Sequence, residues 1–272
     1  MEAIMDFIIY IVLLLIGGCF GGLMAGLLGV GGGIILSPIQ YYLLQSIGVN
    51  PSIALPMSFA TSLAVIFVTM IRGTREHYRN GNVEDRFLKQ MMILGFIGAI
   101  CGAFISTHID VTLLSFLFGV LCIVAVLNMI LIKYPDNDEN ISKSKLGHSL
   151  LGFAAGLLCG LLGVGGGVIM IPALTILLKY PTHKAIGTSS ASIIATTLGG
   201  LIAYIILGLN VSNLPQFSIG YVNILQFIFL TITSTFVVKY AADLSVRIDA
   251  RILKIFHIII VGYIGLNMIG II

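Results

Sequence analysis

The chain has 272 residues, of which 58% are hydrophobic and only 9% are charged, and its formal net charge is +3 at pH 7. A soluble domain is about 25% charged, so this composition excludes most soluble proteins and predicts an integral membrane protein. Apolar runs close to the length that crosses a hydrocarbon core as a helix occur at residues 7–28, 53–71, 111–132 and 250–272. These runs do not alternate in polarity, which excludes an outer-membrane barrel. The small positive charge is typical of orientation signals in loops, so we expect no nucleic-acid partner.

The chain contains an internal repeat. Residues 26–38 (GLLGVGGGIILSP) match residues 160–172 (GLLGVGGGVIMIP), with ten of thirteen positions identical. A second match, at a slightly different spacing, places Ser58 opposite Ser189. Self-similarity of this kind is typical of a duplicated architecture.

The matches divide the chain into repeat one at residues 7–132 and repeat two at residues 148–272. A polar, charged linker joins them at residues 133–147. In chain order, each repeat is predicted to form a glycine-interrupted helical pair followed by three transmembrane helices. The expected fold is therefore an all-α polytopic membrane protein, with the two repeats forming one membrane domain.

The basic residues predict the orientation of this domain. All fourteen Lys and Arg residues lie in four segments, at residues 72–89, 133–145, 179–184 and 239–254. Short basic loops remain in the cytoplasm, so we expect these segments, including the linker, to be cytoplasmic and both termini to be outside. This assignment gives the two repeats inverted topology, which is a transporter signature.

Each helical pair is interrupted by four glycines in five residues. We call residues 29–33 the first glycine turn and residues 163–167 the second glycine turn. The helical pieces that follow are too short to span a bilayer and are predicted to be half-helices, either re-entrant or stacked. Broken backbone at membrane depth requires a protein-lined or wet cavity, and a half-helix that starts there directs free N–H groups at an anion.

These glycines are accordingly predicted to bind substrate: Gly29, Gly31, Gly32, Gly33, Gly163, Gly165, Gly166 and Gly167. The competing interpretation is close helix packing through small residues. Packing alone does not explain four glycines in five positions, placed identically in both repeats. A nucleotide-binding loop is a weaker interpretation, because no Gly-Lys-Ser/Thr ending follows.

Hydroxyl side chains form one polar stripe in each repeat, and we expect them to line the same site. The predicted substrate-binding hydroxyls are Ser58, Thr61, Thr188, Ser189 and Ser192. For any single residue, the alternative is a hydroxyl bonded to its own helix backbone.

Several kinds of chemistry have no residues to support them. No Asp, Glu, Lys or Arg falls at the centre of a span, so the usual intramembrane proton relay is not visible. The five histidines never cluster with cysteines as metal ligands do. We expect no metal, no cofactor and no enzymatic activity.

At these residues the chain resembles the TauE/SafE sulfite exporter-like family, also called the toluene sulfonate uptake permease family. The resemblance rests on the duplicated glycine element, on the segment AIGTSSA at residues 185–191, and on GYVN at residues 220–223. It implies a multi-pass permease of the prokaryotic cell (inner) membrane, associated with sulfite, thiosulfate, sulfonates or sulfoacetate.

The combined hypothesis is a secondary transporter for a small sulfur-containing anion, bound at the midplane between the two glycine turns. The alternative is a passive channel for small solutes or anions. A membrane enzyme or scaffold is disfavoured, because no paired catalytic groups are present. The expected partners are the anion, the lipid bilayer and a coupling ion, either a proton or sodium. Oligomeric state and transport direction stay open.

The predicted orientation can be tested with two single-cysteine variants. Asn80→Cys lies in a basic segment and Asn210→Cys lies in a connection without Lys or Arg. In intact cells, a membrane-impermeant maleimide should label Asn210→Cys, and should label Asn80→Cys only after permeabilisation. The unmodified chain, whose four cysteines all lie in apolar runs, is the background control. Labelling of both variants from the same side would contradict the inverted arrangement.

Overall fold

The computed structural model describes residues 2–28, 32–131, 141–245 and 250–271. Within these ranges the chain forms ten helices and one small β-hairpin. In chain order the elements are α1 (Glu2–Leu28), α2 (Gly33–Ser46), α3 (Pro51–Arg79), α4 (Leu88–His108), α5 (Val111–Leu131), α6 (Lys145–Leu162), α7 (Gly167–Ile176), α8 (Thr182–Gly208), β1 (Ser218–Ile219), β2 (Val222–Asn223), α9 (Ile224–Ser245) and α10 (Ala250–Ile269).

The element order agrees with the predicted plan of a broken helical pair and three further helices in each half. Five of the described helices, namely α3, α4, α5, α6 and α8, are long and apolar enough to cross a membrane. The all-α polytopic class is therefore confirmed at this level.

Both half-helices fold back along the helix that precedes them. In the first helical hairpin, α1 and α2, a Cβ added at Gly21 would lie 2.4 Å from the Leu36 side chain, and one at Gly17 would lie 2.9 Å from Ile39. In the second helical hairpin, α6 and α7, a Cβ at Gly166, just before α7, would lie 3.2 Å from the Ala155 carbonyl oxygen, and one at Gly147 would lie 3.2 Å from Leu178, just after α7. In each hairpin, residues farther before the turn contact residues farther after it. The two helices are therefore antiparallel, and each glycine turn is the tip of a hairpin.

Each hairpin packs mainly against the other half of the chain. Helix α6 lies on α4, and helix α1 lies on α9. The α4 and α6 backbones touch, since a Cβ at Gly156 would lie 2.0 Å from the Gly95 carbonyl oxygen and one at Gly160 would lie 2.0 Å from that of Ala99. Small residues permit such approach between helices in a bilayer. Helices α3 and α8 pack against each other and carry long runs of buried residues on either side of the hairpin tips.

Side-chain caps set the helix starts. The Ser144 hydroxyl accepts a hydrogen bond from the Gly147 N–H at 3.1 Å, so α6 begins at Lys145, three residues inside the segment predicted to be linker. The Asp110 carboxylate accepts from the Thr112 N–H at 2.7 Å and caps α5, and this bond lowers the pKa of Asp110. Residues 133–140 of the linker lie outside the described residues.

The hairpin β1–β2 is a feature that the sequence analysis did not predict. Gly220 has a φ of 55°, and a Cβ there would lie 2.2 Å from the Ile205 carbonyl oxygen, so only glycine fits the turn. The Asn223 side chain then accepts from the Gln226 N–H at 3.0 Å and starts α9. The hairpin thus delivers the chain directly into a membrane helix.

The close approach of α4 and α6 generates a stability prediction. Gly156→Ala places a methyl group against the Gly95 carbonyl and should destabilise the protein by about 1–3 kcal/mol through overpacking. Gly73→Ala is the matched control, since a Cβ at Gly73 meets nothing within 4 Å; it should be neutral or slightly stabilising, because alanine favours helix over glycine. Thermal unfolding of both variants in detergent measures the difference. Equal melting temperatures would contradict backbone contact between α4 and α6.

Candidate functional site

The second glycine turn separates helix α6 from helix α7 in the interior of the protein. Gly163, Gly165 and Gly166 have φ values of 65°, 79° and 75°, a left-handed conformation that side chains with a Cβ rarely adopt. All residues of the turn are buried. A Cβ at Gly163 would lie 2.6 Å from the Phe59 Cα, so glycine is required here by both conformation and space. Gly167 is the first residue of α7.

The first glycine turn is described only at its end. Gly29, Val30 and Gly31 lie outside the described residues. Gly32 is buried with a φ of 70° and precedes α2, and its carbonyl oxygen accepts the first helical hydrogen bond, from the Leu36 N–H at 3.0 Å. Gly33 is the first residue of α2.

The tips of the two helical hairpins meet. A Cβ at Gly33 would lie 2.8 Å from the Gly163 carbonyl oxygen and 3.0 Å from the Val164 Cα. The Ser37 hydroxyl, one turn into α2, lies 3.4 Å from the same Gly163 oxygen. The broken ends of both repeats are therefore in direct contact, enclosed between α3 and α8.

Helix α8 brings its hydroxyl stripe to the level of the second tip. Helices α7 and α8 meet at one end, and both Gly167 and Ser192 lie about 15 Å from that end at 1.5 Å per residue. The contacts agree with this depth. Ile193, the residue after Ser192, has its side chain 3.9 Å from where a Cβ at Gly165 would lie.

The α8 hydroxyls differ in what they bind. Thr188 accepts a hydrogen bond from the Glu84 N–H at 3.0 Å. The Ser189 and Ser192 hydroxyls are fully buried, yet neither has a hydrogen-bond partner. Buried polar groups are normally paired, so these two hydroxyls on the helix that packs against α7 need an explanation.

The equivalent hydroxyls of α3 are all engaged. Ser58 donates to the Leu55 carbonyl of its own helix at 2.7 Å, and Thr61 accepts from the Asn223 N–H at 3.0 Å. Ser62 accepts from the Ser37 hydroxyl at 2.9 Å and from the Gln40 amide at 2.7 Å. The two repeats therefore present different chemistry to the meeting point of the tips.

Ser37 and Gln40 are site residues that the sequence analysis missed. Both are fully buried and lie on the short helix α2, close behind the first glycine turn. A serine and a glutamine one turn apart in an apolar half-helix were the available signal.

The electrostatics of this region come from backbone rather than from charged side chains. Among the described residues, no Asp, Glu, Lys or Arg side chain is buried. Helices α2 and α7 begin at the tips, and the first N–H groups of a helix have no intrahelical acceptor. Their positive ends face the interior, where they favour a negative charge.

Comparison with known proteins assigns the chain to a family. The family model described as sulfite exporter TauE/SafE matches residues 14–268. A probable membrane transporter protein of Haemophilus influenzae is 28% identical over 262 residues, covering 95% of this chain and 98% of the relative. A probable membrane transporter protein of Methanocaldococcus jannaschii is 29% identical over 270 residues, covering 97% of each chain. No solved structure matches the chain. The chain is thus a multi-pass membrane transporter protein that belongs to the sulfite exporter TauE/SafE family.

Proposed function

We propose that this protein is a secondary transporter for a small sulfur-containing anion, such as sulfite, thiosulfate or an organosulfonate. The observation that carries the proposal is the pair of buried, unpartnered hydroxyls of Ser189 and Ser192 on α8, the helix that packs against α7. The anion binds there, and the residues of the second glycine turn shape the pocket.

The chemistry of these groups matches an oxyanion. A buried hydroxyl without a partner costs about 1–3 kcal/mol, and an anion with several oxygens removes that cost by accepting from both serines. The first N–H groups of α7 add donors, and the positive end of its dipole adds a favourable field. The family description names sulfite, which is an anion of this kind.

A carrier fits these groups better than a channel. Ser189, Ser192 and the glycine turn are fully enclosed by protein. Burial of this kind fits the occluded intermediate that alternating access requires, whereas an open channel needs a continuous wet path past the same residues. The first helix of each half packs on a helix of the other half, α6 on α4 and α1 on α9. This arrangement supports inverted repeats with the site at their interface.

In the membrane, we place this site near the midplane, with the basic segments at the cytoplasmic face. Helix α7 has ten residues and is about 15 Å long, half of a hydrocarbon core of about 30 Å. A hairpin of that depth carries its tip to the middle of the bilayer.

The proposal predicts that the serines of α8, but not their counterpart on α3, control anion affinity. The purified wild type should be stabilised against heat by sulfite, thiosulfate or a sulfonate, because a ligand of the native state raises its stability. Ser189→Ala and Ser192→Ala should each raise the dissociation constant of the anion by about 5-fold to 150-fold, the equivalent of losing 1–3 kcal/mol of binding free energy. Ser58→Ala is the matched control and should leave the affinity unchanged, because Ser58 bonds its own helix.

Two variants of Ser189 that differ in charge but hardly in size separate the electrostatic contribution to anion binding from the steric one. Ser189→Asp should lose anion binding far more than Ser189→Asn, since the two side chains are nearly the same size and only one is anionic. The titrations use choline salts at constant ionic strength, with chloride as the reference anion. Equal affinities for the Asp and Asn variants, or no stabilisation of the wild type by any of these anions, would overturn the proposal.

A further inference from the structure

A cluster of buried oxygen atoms lies on the other side of the second glycine turn. It comprises the Ser37 hydroxyl and the Gln40 amide of α2, the Ser62 hydroxyl of α3 and the carbonyl of Gly163 at the end of α6. Ser62 Oγ lies 2.9 Å from Ser37 Oγ and 2.7 Å from Gln40 Nε2, and Ser37 Oγ lies 3.4 Å from Gly163 O. All three side chains are fully buried.

One member of this cluster has an unused acceptor. Gln40 Nε2 donates to Ser62 Oγ and to the Leu36 carbonyl oxygen, while Gln40 Oε1 is buried without any hydrogen-bond partner. The cluster is rich in oxygen lone pairs, and its own donors do not reach this oxygen. A cation satisfies such an oxygen, whereas an anion would be repelled by it.

One backbone group at this point, the carbonyl of Gly163, favours a cation, although the N-terminus of α2 lies beside it. Gly163 is the C-cap of α6, and the end of a helix carries a partial negative charge on its unpaired carbonyls. In transporters built from broken helices, half-helix C-termini and unwound carbonyls are the groups that hold coupling cations.

The ligand set selects a monovalent ion. Calcium and magnesium sites draw on carboxylates, and no Asp or Glu side chain is buried among the described residues. Hydroxyl, amide and carbonyl oxygens are neutral, so they compensate a single positive charge better than a double one.

We propose that Ser37, Gln40, Ser62 and the Gly163 carbonyl form a sodium site. Without the ion, the hydrogen bonds among these groups hold the cluster together. When sodium binds, the two hydroxyls turn their lone pairs toward it and the Gln40 amide presents Oε1, so the ion replaces the hydrogen bonds that it breaks.

The position of the cluster links it to the anion site. Both sites use the second glycine turn, sodium through the carbonyl of Gly163 and the anion through the start of α7 four residues later. An ion that orders this turn for one site orders it for the other, and such coupling is reciprocal. Sodium binding is independent of the proposed transport function, whereas its role as the coupling ion rests on that function.

Sodium binding is tested on the purified full chain without any sulfur anion. The melting temperature in sodium chloride is compared with that in choline chloride and in potassium chloride at equal ionic strength. The wild type should show a saturable rise with sodium. Ser62→Ala should abolish this rise or increase the half-saturating sodium concentration about tenfold or more, the equivalent of losing about 1.4 kcal/mol.

Ser58→Ala is again the matched control, because it removes a hydroxyl from the same helix and should leave the sodium response intact. Ser37→Ala repeats the test if Ser62→Ala does not fold. A wild type with the same melting temperature in sodium and choline overturns the site, as does a sodium response that survives in both cluster variants. Potassium stabilisation in place of sodium overturns the choice of ion.

The coupling role has a separate readout. Anion affinity, measured in sodium chloride and in choline chloride, should be higher in sodium for the wild type and equal in both salts for Ser62→Ala. A wild-type anion affinity that does not depend on sodium overturns the coupling role. Anion binding in choline without any sodium response leaves the proposed function standing and overturns the sodium site, so the two failures are distinguishable.

Discussion

The structure depends on one constraint, the need to satisfy a polypeptide backbone that is broken inside a membrane. Lipid offers no partner for free N–H and C=O groups, so the broken ends must be enclosed by protein. Helix α3 supplies part of the enclosure, because Phe59 packs on Gly163 and Ile66 packs on Gly165. The glycines that bring α4 and α6 into backbone contact leave no space for lipid between these helices. The close packing of the helices and the free backbone groups at the hairpin tips therefore both follow from this one constraint.

A broken helix has two ends of opposite polarity, and side chains have differentiated around them. The Gly163 carbonyl, at one end of the turn, lies 3.4 Å from the Ser37 hydroxyl, one helical turn before Gln40. At the other end α7 begins, and it packs against α8, which carries the unpartnered hydroxyls of Ser189 and Ser192. The counterparts of Ser37 and Gln40 in the duplicated sequence are Ile171 and Leu174. The two halves thus each begin a short helix after a glycine with a positive φ, Gly32 and Gly166, but they differ in the side chains around it.

The backbone plan was accessible from the sequence because glycine density, apolar length and charge placement act locally. The fate of individual hydroxyls was not. Ser58 and Ser189 occupy matching positions, yet Ser58 bonds its own helix and Ser189 has no partner, because a serine hydroxyl chooses between its helix and its neighbours by rotation of one bond. The β-hairpin was missed for a related reason, since its two-residue strands are stabilised by contacts with Thr61 and with the Ile205 backbone rather than by a pattern of their own.

Helix ends suit a transporter because they bind weakly. A helix terminus contributes up to about 2 kcal/mol in a partly buried geometry, whereas a buried Lys or Arg would carry a full charge whose desolvation costs several kcal/mol unless an anion were always present. A fixed cation would therefore hold its substrate and resist emptying. Neutral hydroxyls and backbone dipoles cost the empty protein less than a fixed charge does, about 1–3 kcal/mol for an unpartnered hydroxyl. In the proposed site they would bind an anion strongly enough to select it but loosely enough to release it. The lack of buried charge among the described residues agrees with a site that, in the proposed function, is filled and emptied in every cycle.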